Sequence, residues 1–406
     1  MSAHAELPAA PKPPAARVVA LIGLTLALCY LVVLGGAYLH GDFLTDAQGQ
    51  PVANDFVNVW AAGQLTLDDD PAAAYDWPLH KAAEQRAVGH DFANYYGWHY
   101  PPAFLFVAAG LATLPYLAAA IVWLVATLAV YVAALAGILG ARTGIFLALG
   151  FPAALWNVTA GQNGFLTAAL IGGTLGLMER RPALAGICLG LLTYKPQFGL
   201  LFPIVLIADR RWLTIAVAAL VAAGLAASSW LAFGGGPWQA FVDGLPVTSR
   251  VVLGEGAADW ARLQSPFGLV RALGAGETAA WLVQATGMLA LAAGLVWLWR
   301  SRVTFELKAA ALAAGALIAT PYVYMYDLVA LAVAVAFLLR YAFARGMSSI
   351  ENAGLAAAGG LILIYPYVKT QVGLGAVLIV GALVARRAFA DLRSPVARTG
   401  RTAART

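Results

Sequence analysis

Charged side chains are scarce in this chain. Asp, Glu, Lys and Arg make up 11% of its 406 residues, against 61% hydrophobic, whereas a soluble domain carries about 25% charged residues. With a mean hydropathy of +0.77, that scarcity excludes an ordinary soluble enzyme. Cysteine is scarcer still. Cys29 and Cys188 lie inside apolar runs, far apart, which argues against a disulfide framework and leaves no zinc-type cluster. Nucleic acid is excluded as a partner by where the charge sits. The net charge is +5, but the arginine excess lies at the ends of apolar runs and in the tail, as in the cytoplasmic loops of membrane proteins.

Apolar sequence is what the chain has in abundance. Runs recur along nearly its whole length, many of them long enough to cross a bilayer that needs about 20 residues. The first, Val18 to Tyr38, follows a Pro/Ala-rich leader holding Lys12 and Arg17. It is longer than a signal-peptide core and lacks a small-residue cleavage site, so it reads as a retained first helix with its N-terminus inside. His40 to Tyr100 is then extracytoplasmic and acidic, with Asp42, Asp46, Asp55, Asp68, Asp69, Asp70, Asp76 and Asp91. Within it Phe56, Trp60, Gly63 and Leu67 recur at helical spacing, predicting a short interfacial helix anchored by Trp60. A second helix is expected around Trp77 to Val88.

Arginines set the remaining topology. Arg142, Arg180–Arg181, Arg210–Arg211, Arg300–Arg302, Arg340–Arg345 and Arg386–Arg387 are expected inside. The turns at Gly161–Gly164, Lys195–Pro196, Gly234–Gln264, Pro321–Asp327 and Tyr365–Gln371 are then outside. Several intervening runs are too short for a full crossing, so their helix tips should stop below the outer surface and leave a cavity. Ala103 to Leu114 and Leu117 to Leu139 would together return the chain to the outside before Arg142, so the first is expected not to cross completely. The fold class is all-α, a polytopic bundle of about 10–13 spans. Residues 1–17 form a cytoplasmic leader and 18–387 the transmembrane domain, with extracytoplasmic loops at 40–100 and 233–264. Residues 388–406 form a basic cytoplasmic tail expected to be disordered.

Ionisable groups in or beside apolar helices are costly and mark function by default. Asp55, Lys195 and Asp327 stand out, and the topology places all three on the outer side. A carboxylate and a lysine on one face suit group transfer from a lipid phosphate. The acceptor hydroxyl needs a base, the phosphate leaving group needs a cation, and one carboxylate suffices for inversion, whereas glycosidases use two. Plainer readings stand beside these. Asp55 is one of eight loop aspartates, Lys195 could snorkel to the interface, and Asp327 could cap the helix beginning at Leu328. Gln162 and Asn163 could be turn residues between glycines that let a substrate approach. His99-Tyr100-Pro101-Pro102 could be only a helix start, and most Trp and Tyr residues read as interfacial belt.

Taken in order, these segments resemble a family. Asp-Phe-x-x-x-Trp-x-Ala-Gly (Asp55 to Gly63) is followed by Asp-x-Pro-x-x-x-Tyr-Asp (Asp69 to Asp76). Then come His99 to Pro102, the Gly-Gln-Asn-Gly turn, and Ala-Gly-x-x-Leu-Gly-Leu-Leu-Thr-Tyr-Lys-Pro-Gln (Ala185 to Gln197). From Ala20 to about Ala330 the chain is similar to glycosyltransferase family 87, membrane enzymes of the GT-C fold that use polyprenyl-phosphate sugars, often mannose. The resemblance implies Asp55 as catalytic base, with Tyr100 to Pro102 and Lys195 as further family marks. Mannosyl-transferring members carry Ser-Pro-x-x-Trp and histidine in the later motif. Here that stretch runs from Thr320 to Asp327, so Tyr324, Tyr326 or Asp327 would take the histidine's place.

The expected protein is thus a cell-membrane glycosyltransferase acting on the extracytoplasmic side. Its partners would be membrane lipids, a polyprenyl-phosphate sugar donor and a glycan or glycolipid acceptor, with no cofactor and no metal. Asp55 would deprotonate the acceptor, and Lys195 would meet the donor phosphate, aided by Arg250 or Arg262. Gln162, Asn163 and His99 are the candidate hydrogen-bonders to sugar or phosphate. The rival is a transporter or flippase of lipid-linked sugars without transferase activity. It would call for paired helix breaks near the midplane, whereas the breaks here cluster toward one face.

Overall fold

A computed structural model of the chain describes residues 14–257 and 259–393. Among these residues regular structure is helical throughout, apart from isolated bridges at Phe43, Thr45 and Pro51. Helix α1 (Pro14–His40) leads into a polar loop carrying α2 (Phe56–Leu67) and α3 (Trp77–Val88). Then follow α4 (Leu105–Ala112), α5 (Tyr116–Leu139), α6 (Ala141–Gly150), α7 (Pro152–Ala160), α8 (Gly164–Leu177), α9 (Pro182–Leu191) and α10 (Leu201–Ala208). The second half holds α11 (Trp212–Phe233), α12 (Gly236–Ser249), α13 (Pro266–Ala272), α14 (Glu277–Arg300) and α15 (Phe305–Ile318). It ends with α16 (Leu331–Arg345), α17 (Ser349–Leu363), α18 (Tyr365–Val368) and α19 (Val372–Arg393).

Six of these helices are long and apolar enough to cross a membrane, seven if α6 and α7, bent by 57° at Phe151–Pro152, count as one broken span. Five further apolar helices run 10–17 residues. The chain is therefore a multi-pass helical membrane protein, as its composition demanded. The ambiguous stretch before Arg142 resolves as expected. With its preceding 3₁₀ turn α4 spans Pro102–Ala112, about 16 Å of helix, too short to cross a core of about 30 Å. It packs on α2 and turns back at Pro115, so α5 alone carries the chain across to Arg142. Helix α2 is covered by protein more than a helix resting on the surface would be. Eight of its 12 residues are buried, and the Trp60 indole donates to the Leu114 carbonyl at 2.9 Å. The indole is thus tied to the α4–α5 turn.

Lipid gives helices no hydrophobic reason to associate, so small residues at the contacts decide the packing. On α9 a Cβ at Gly186 would come 2.7 Å from the Thr214 carbonyl oxygen, and one at Gly190 2.8 Å from that of Ala218. This Gly-x-x-x-Gly stripe lets α9 lie directly on α11. Gly63 on α2 meets the Ala108 carbonyl of α4 in the same way. The Met325–Arg345 span is 83% buried and α11 only 6%. The former is the central post, packed against alanine-rich α15, and the latter lines the lipid-facing rim. The tail expected from residue 388 is helical up to Arg393, where α19 ends. The rest of it, and the leader before Pro14, lie outside the described residues.

Contacts sort the charged groups into two ends. At one, Arg340 pairs with Glu306, Arg345 with Asp391, Arg387 with Glu351 and Arg211 with Asp209. At the other lie Asp55, Lys195, Asp327 and the turns between the short helices.

Candidate active site

Asp55 stands at the start of α2, where an aspartate normally caps the helix. Its side chain makes no cap bond. Asn54 takes over, its Oδ1 accepting from Phe56 N at 3.0 Å, while Asp55 N donates to the Ala160 carbonyl at 3.0 Å. The carboxylate is thus turned away from its own helix and toward α7–α8, where Gln162 Nε2 donates to its Oδ2 at 2.9 Å. Other aspartates of the loop do structural work. Asp70 and Asp76 cap the helices at Pro71 and Trp77, accepting from Ala73 N and Leu79 N. Asp46 accepts from Gln48 N and Gln50 N. Geometry separates Asp55 from its neighbours where composition did not.

The Gly161–Gly164 turn explains its own residue types. Gly161 sits at φ +68°, closing α7 in the left-handed region that favours glycine, and a Cβ there would also meet Asn54 Oδ1 at 2.6 Å. A Cβ at Gly164 would lie 2.6 Å from both Asn157 Oδ1 and the Tyr326 carbonyl. The turn therefore wedges between the α2 start and the Asp327 segment. Gln162 Oε1 accepts from Asn163 N at 3.2 Å, which fixes its amide so that the NH₂ faces Asp55. Asn163 is buried and donates from Nδ2 to the Tyr100 hydroxyl at 2.8 Å. Tyr100 in turn packs beside Trp98, Phe104 and Tyr194. These contacts seat the His99–Pro102 element, more than a helix start, against the turn.

Lys195 lies where α9 breaks before Pro196, and it does not snorkel. Its Nζ reaches inward to Asp327 Oδ1 at 2.9 Å, with side-chain exposures of 8% and 2%. Asp327 Oδ2 accepts from Tyr324 N at 3.1 Å, so Asp327 both caps its short helix and neutralises a lysine. Lys195 Nζ also lies 5.6 Å from the Tyr326 ring centroid, within cation–π range, and Tyr324 stacks on Tyr326 at 5.4 Å. Asp55 feels the charges of Arg262, Lys195 and Asp327. Burial dominates and raises the pKa of its carboxyl, while the Gln162 hydrogen bond, Arg262 and Lys195 pull it partly back. The direction is that of a carboxylate made more basic, as a general base requires.

His99 faces open space yet stands deep among protein atoms, and this desolvation lowers its pKa to about 4, leaving the ring neutral. Its Nδ1 meets the Thr248 hydroxyl at 3.1 Å, tying the first loop to α12. Arg262 is exposed, and its guanidinium makes no hydrogen bond or ion pair among the described residues. Arg250 is also exposed, on a π-helical turn after α12, and is not among the charges acting on Asp55. Of the eleven residues singled out, Asp55, Gln162, Asn163, Tyr100, Lys195, Asp327, Tyr324, Tyr326 and Arg262 form one linked cluster. His99 flanks it, and Arg250 stands apart.

Sequence reading missed the frame around Asp55. Tyr116 donates to Val52 O at 3.3 Å and to Asn54 Oδ1 at 3.4 Å, and Tyr96 donates to Ala53 O at 3.3 Å. Buried Glu84 on α3 accepts from Tyr96 N at 3.1 Å. No local pattern marks these residues, because each works on a segment distant along the chain. A cavity of about 330 Å³ opens beside this frame, lined in part by Ala53, His90, Phe92 and Tyr96. Asp55 is not in its lining.

The model of glycosyltransferase family 87 matches residues 98–321. That is more than half of the chain, from His99 through the Gln162 turn and Lys195 to the loop with Arg250 and Arg262. No curated protein and no solved structure matches it.

Proposed function

The chain belongs to glycosyltransferase family 87, and on that premise we propose that it moves a sugar, mannose first among them, from a polyprenyl phosphate to an acceptor hydroxyl outside the cytoplasmic membrane. It is a membrane glycosyltransferase, and the reading adds donor, side and stereochemistry. The observation that carries it is the uncapped Asp55 carboxylate, with Oδ2 held by Gln162 and Oδ1 without a hydrogen bond among the described residues. Asp55 takes the proton from the acceptor as its oxygen attacks the anomeric carbon. The bond from that carbon to the phosphate oxygen breaks, and its electron pair leaves on the polyprenyl phosphate.

The second carboxylate, Asp327, is occupied on both oxygens by Lys195 and Tyr324 N. It is thus unsuited to act as the nucleophile of a two-step retaining route, which supports a single inverting displacement. The same pairing changes the role of Lys195. Its charge is already balanced, so Arg262 supplies the uncompensated cation for the leaving phosphate, and Lys195 contributes through a pair shared with Asp327. Leu200, Ile204 and Ile207 form an exposed apolar stripe on and beside α10, next in sequence to Lys195–Pro196. This stripe suits a polyprenyl tail arriving from the bilayer. Asn163 and Tyr100 would orient the sugar.

Asp55→Asn is expected to abolish transfer from radiolabelled polyprenyl-phosphate mannose in membranes while the protein stays folded. Full activity in that variant removes Asp55 from the mechanism. The anomeric configuration of the product, read by NMR, tests inversion. A panel of polyprenyl-phosphate sugars tests mannose, and turnover by the purified protein distinguishes an enzyme from a carrier.

A further inference from the structure

The end of the bundle opposite Asp55 carries arginines that its carboxylates do not match. Arg340, Arg345 and Arg387 each pair with an acid. Arg300 and Arg302 at the end of α14, and Arg386 and Arg393 on α19, have no carboxylate partner among the described residues. These two helix ends meet, because Arg302 Nη2 donates to the Leu392 carbonyl at 2.7 Å. Both helices start at the other end of the molecule, where Gln371 bonds Trp260 O and Gly373 N bonds Gln264 Oε1. Along the 22-residue α19, Arg386 therefore stands about 21 Å and Arg393 about 32 Å from Val372, the latter a membrane's thickness away.

Arg386, Phe389, Ala390 and Arg393 recur at the spacing of one helix face. Together they line an open depression of about 610 Å³. Phe389 is 55% exposed, and its ring lies 6.0 Å from that of Trp297 on α14, itself 52% exposed. Half-exposed aromatic rings beside arginines at helix ends are the pattern of a membrane–water boundary. The nearby acids Asp391 and Glu351 are already paired with Arg345 and Arg387, and residues 394–406 add three arginines and no acid.

We propose that this depression binds the headgroup of an anionic phospholipid, with Arg386 and Arg393 on the phosphate region and Phe389 and Trp297 against the glycerol and upper acyl chain. Phe389 in the lining, with Trp297 beside it, and the position toward the helix ends select a lipid over a free anion. Basic side chains at such a surface attract anionic lipid additively.

The full-length protein, purified in detergent, is incubated with equimolar phosphatidylglycerol and phosphatidylcholine of identical chains, and bound lipid is read by native mass spectrometry. The wild type should retain phosphatidylglycerol at least tenfold over phosphatidylcholine. Arg386→Gln with Arg393→Gln should bring retention of the two lipids to parity. Arg386 also contacts the Ser348 hydroxyl, so Arg393→Gln alone, whose side chain makes no contact of this kind among the described residues, provides a variant with an undisturbed fold and an expected loss of about threefold to fivefold. Equal retention of both lipids by the wild type overturns the proposal. So does unchanged selectivity in both variants, or displacement of the phosphatidylglycerol by millimolar inorganic phosphate.

Discussion

Replacing Lys195 with methionine keeps the unbranched shape of the side chain, one atom shorter, and removes its charge. Asp327, 2% exposed, is left with one oxygen on Tyr324 N and the other facing an apolar methyl group. A carboxylate stranded in this way costs about 3–5 kcal/mol relative to the intact pair, because it has lost both its cation and its water. Adding Asp327→Asn removes the stranded charge and still offers Tyr324 N an oxygen. The double variant should then lose only about 1–2 kcal/mol, the scale of altered neutral hydrogen bonds. Thermal and denaturant unfolding of the purified protein in detergent reads both, and the second substitution should recover about 2–3 kcal/mol of what the first one lost. Activity separates fold from chemistry. If Lys195 serves only the fold, the double variant regains transfer as it regains stability. If its charge also faces the donor phosphate, the double variant is stable but its KM for the donor rises at least about tenfold, a loss of about 1.4 kcal/mol of binding. A Lys195→Met protein as stable as the wild type would refute the reasoning, since no buried pair would have been broken.

The Gln162 amide holds down the pKa of Asp55, so Gln162→Ala should move the acidic limb of the pH–rate profile to higher pH and lower the rate about tenfold. An unshifted limb would deny the contact a role in tuning the base. Glu84 is buried, and desolvation raises its pKa to about 8, against the opposing pull of Lys81 and Tyr96 N. The folded state therefore keeps a proton that the unfolded chain loses near the ordinary glutamate value of about 4.5, and stability falls as pH rises from there to about 8. Glu84→Gln should accordingly gain stability relative to the wild type between pH 5 and pH 8, measured by unfolding at each pH. A constant difference across that range would refute the assignment.

Helices and their breaks were legible because each is a local event. Phe56–Leu67 and Trp77–Val88 form where spacing placed them, and the chain breaks at Gly161 and Pro196 where φ > 0 or a missing N–H demands it. The failure of α4 to cross followed from its length and from Arg142. What covers the apolar face of α2 was not legible, for an equally local reason. An amphipathic helix with a tryptophan looks the same whether lipid or another helix covers it, and here α4 does.

The site was legible as residue types and not as pairs. In lipid, backbone groups must be satisfied within each segment, so the sequence alone determined a bundle of helices, where they break, and which polar residues gather at one end. It could not choose among eight aspartates, because Asp55 differs from Asp70 or Asp76 only in having Asn54 take its cap and Gln162 meet its carboxylate 107 residues away. Nor could it show that Lys195 is already matched by Asp327, 132 residues on. Those decisions belong to the tertiary structure, since the glycine contacts that bring short helices together act between segments with no local record of one another.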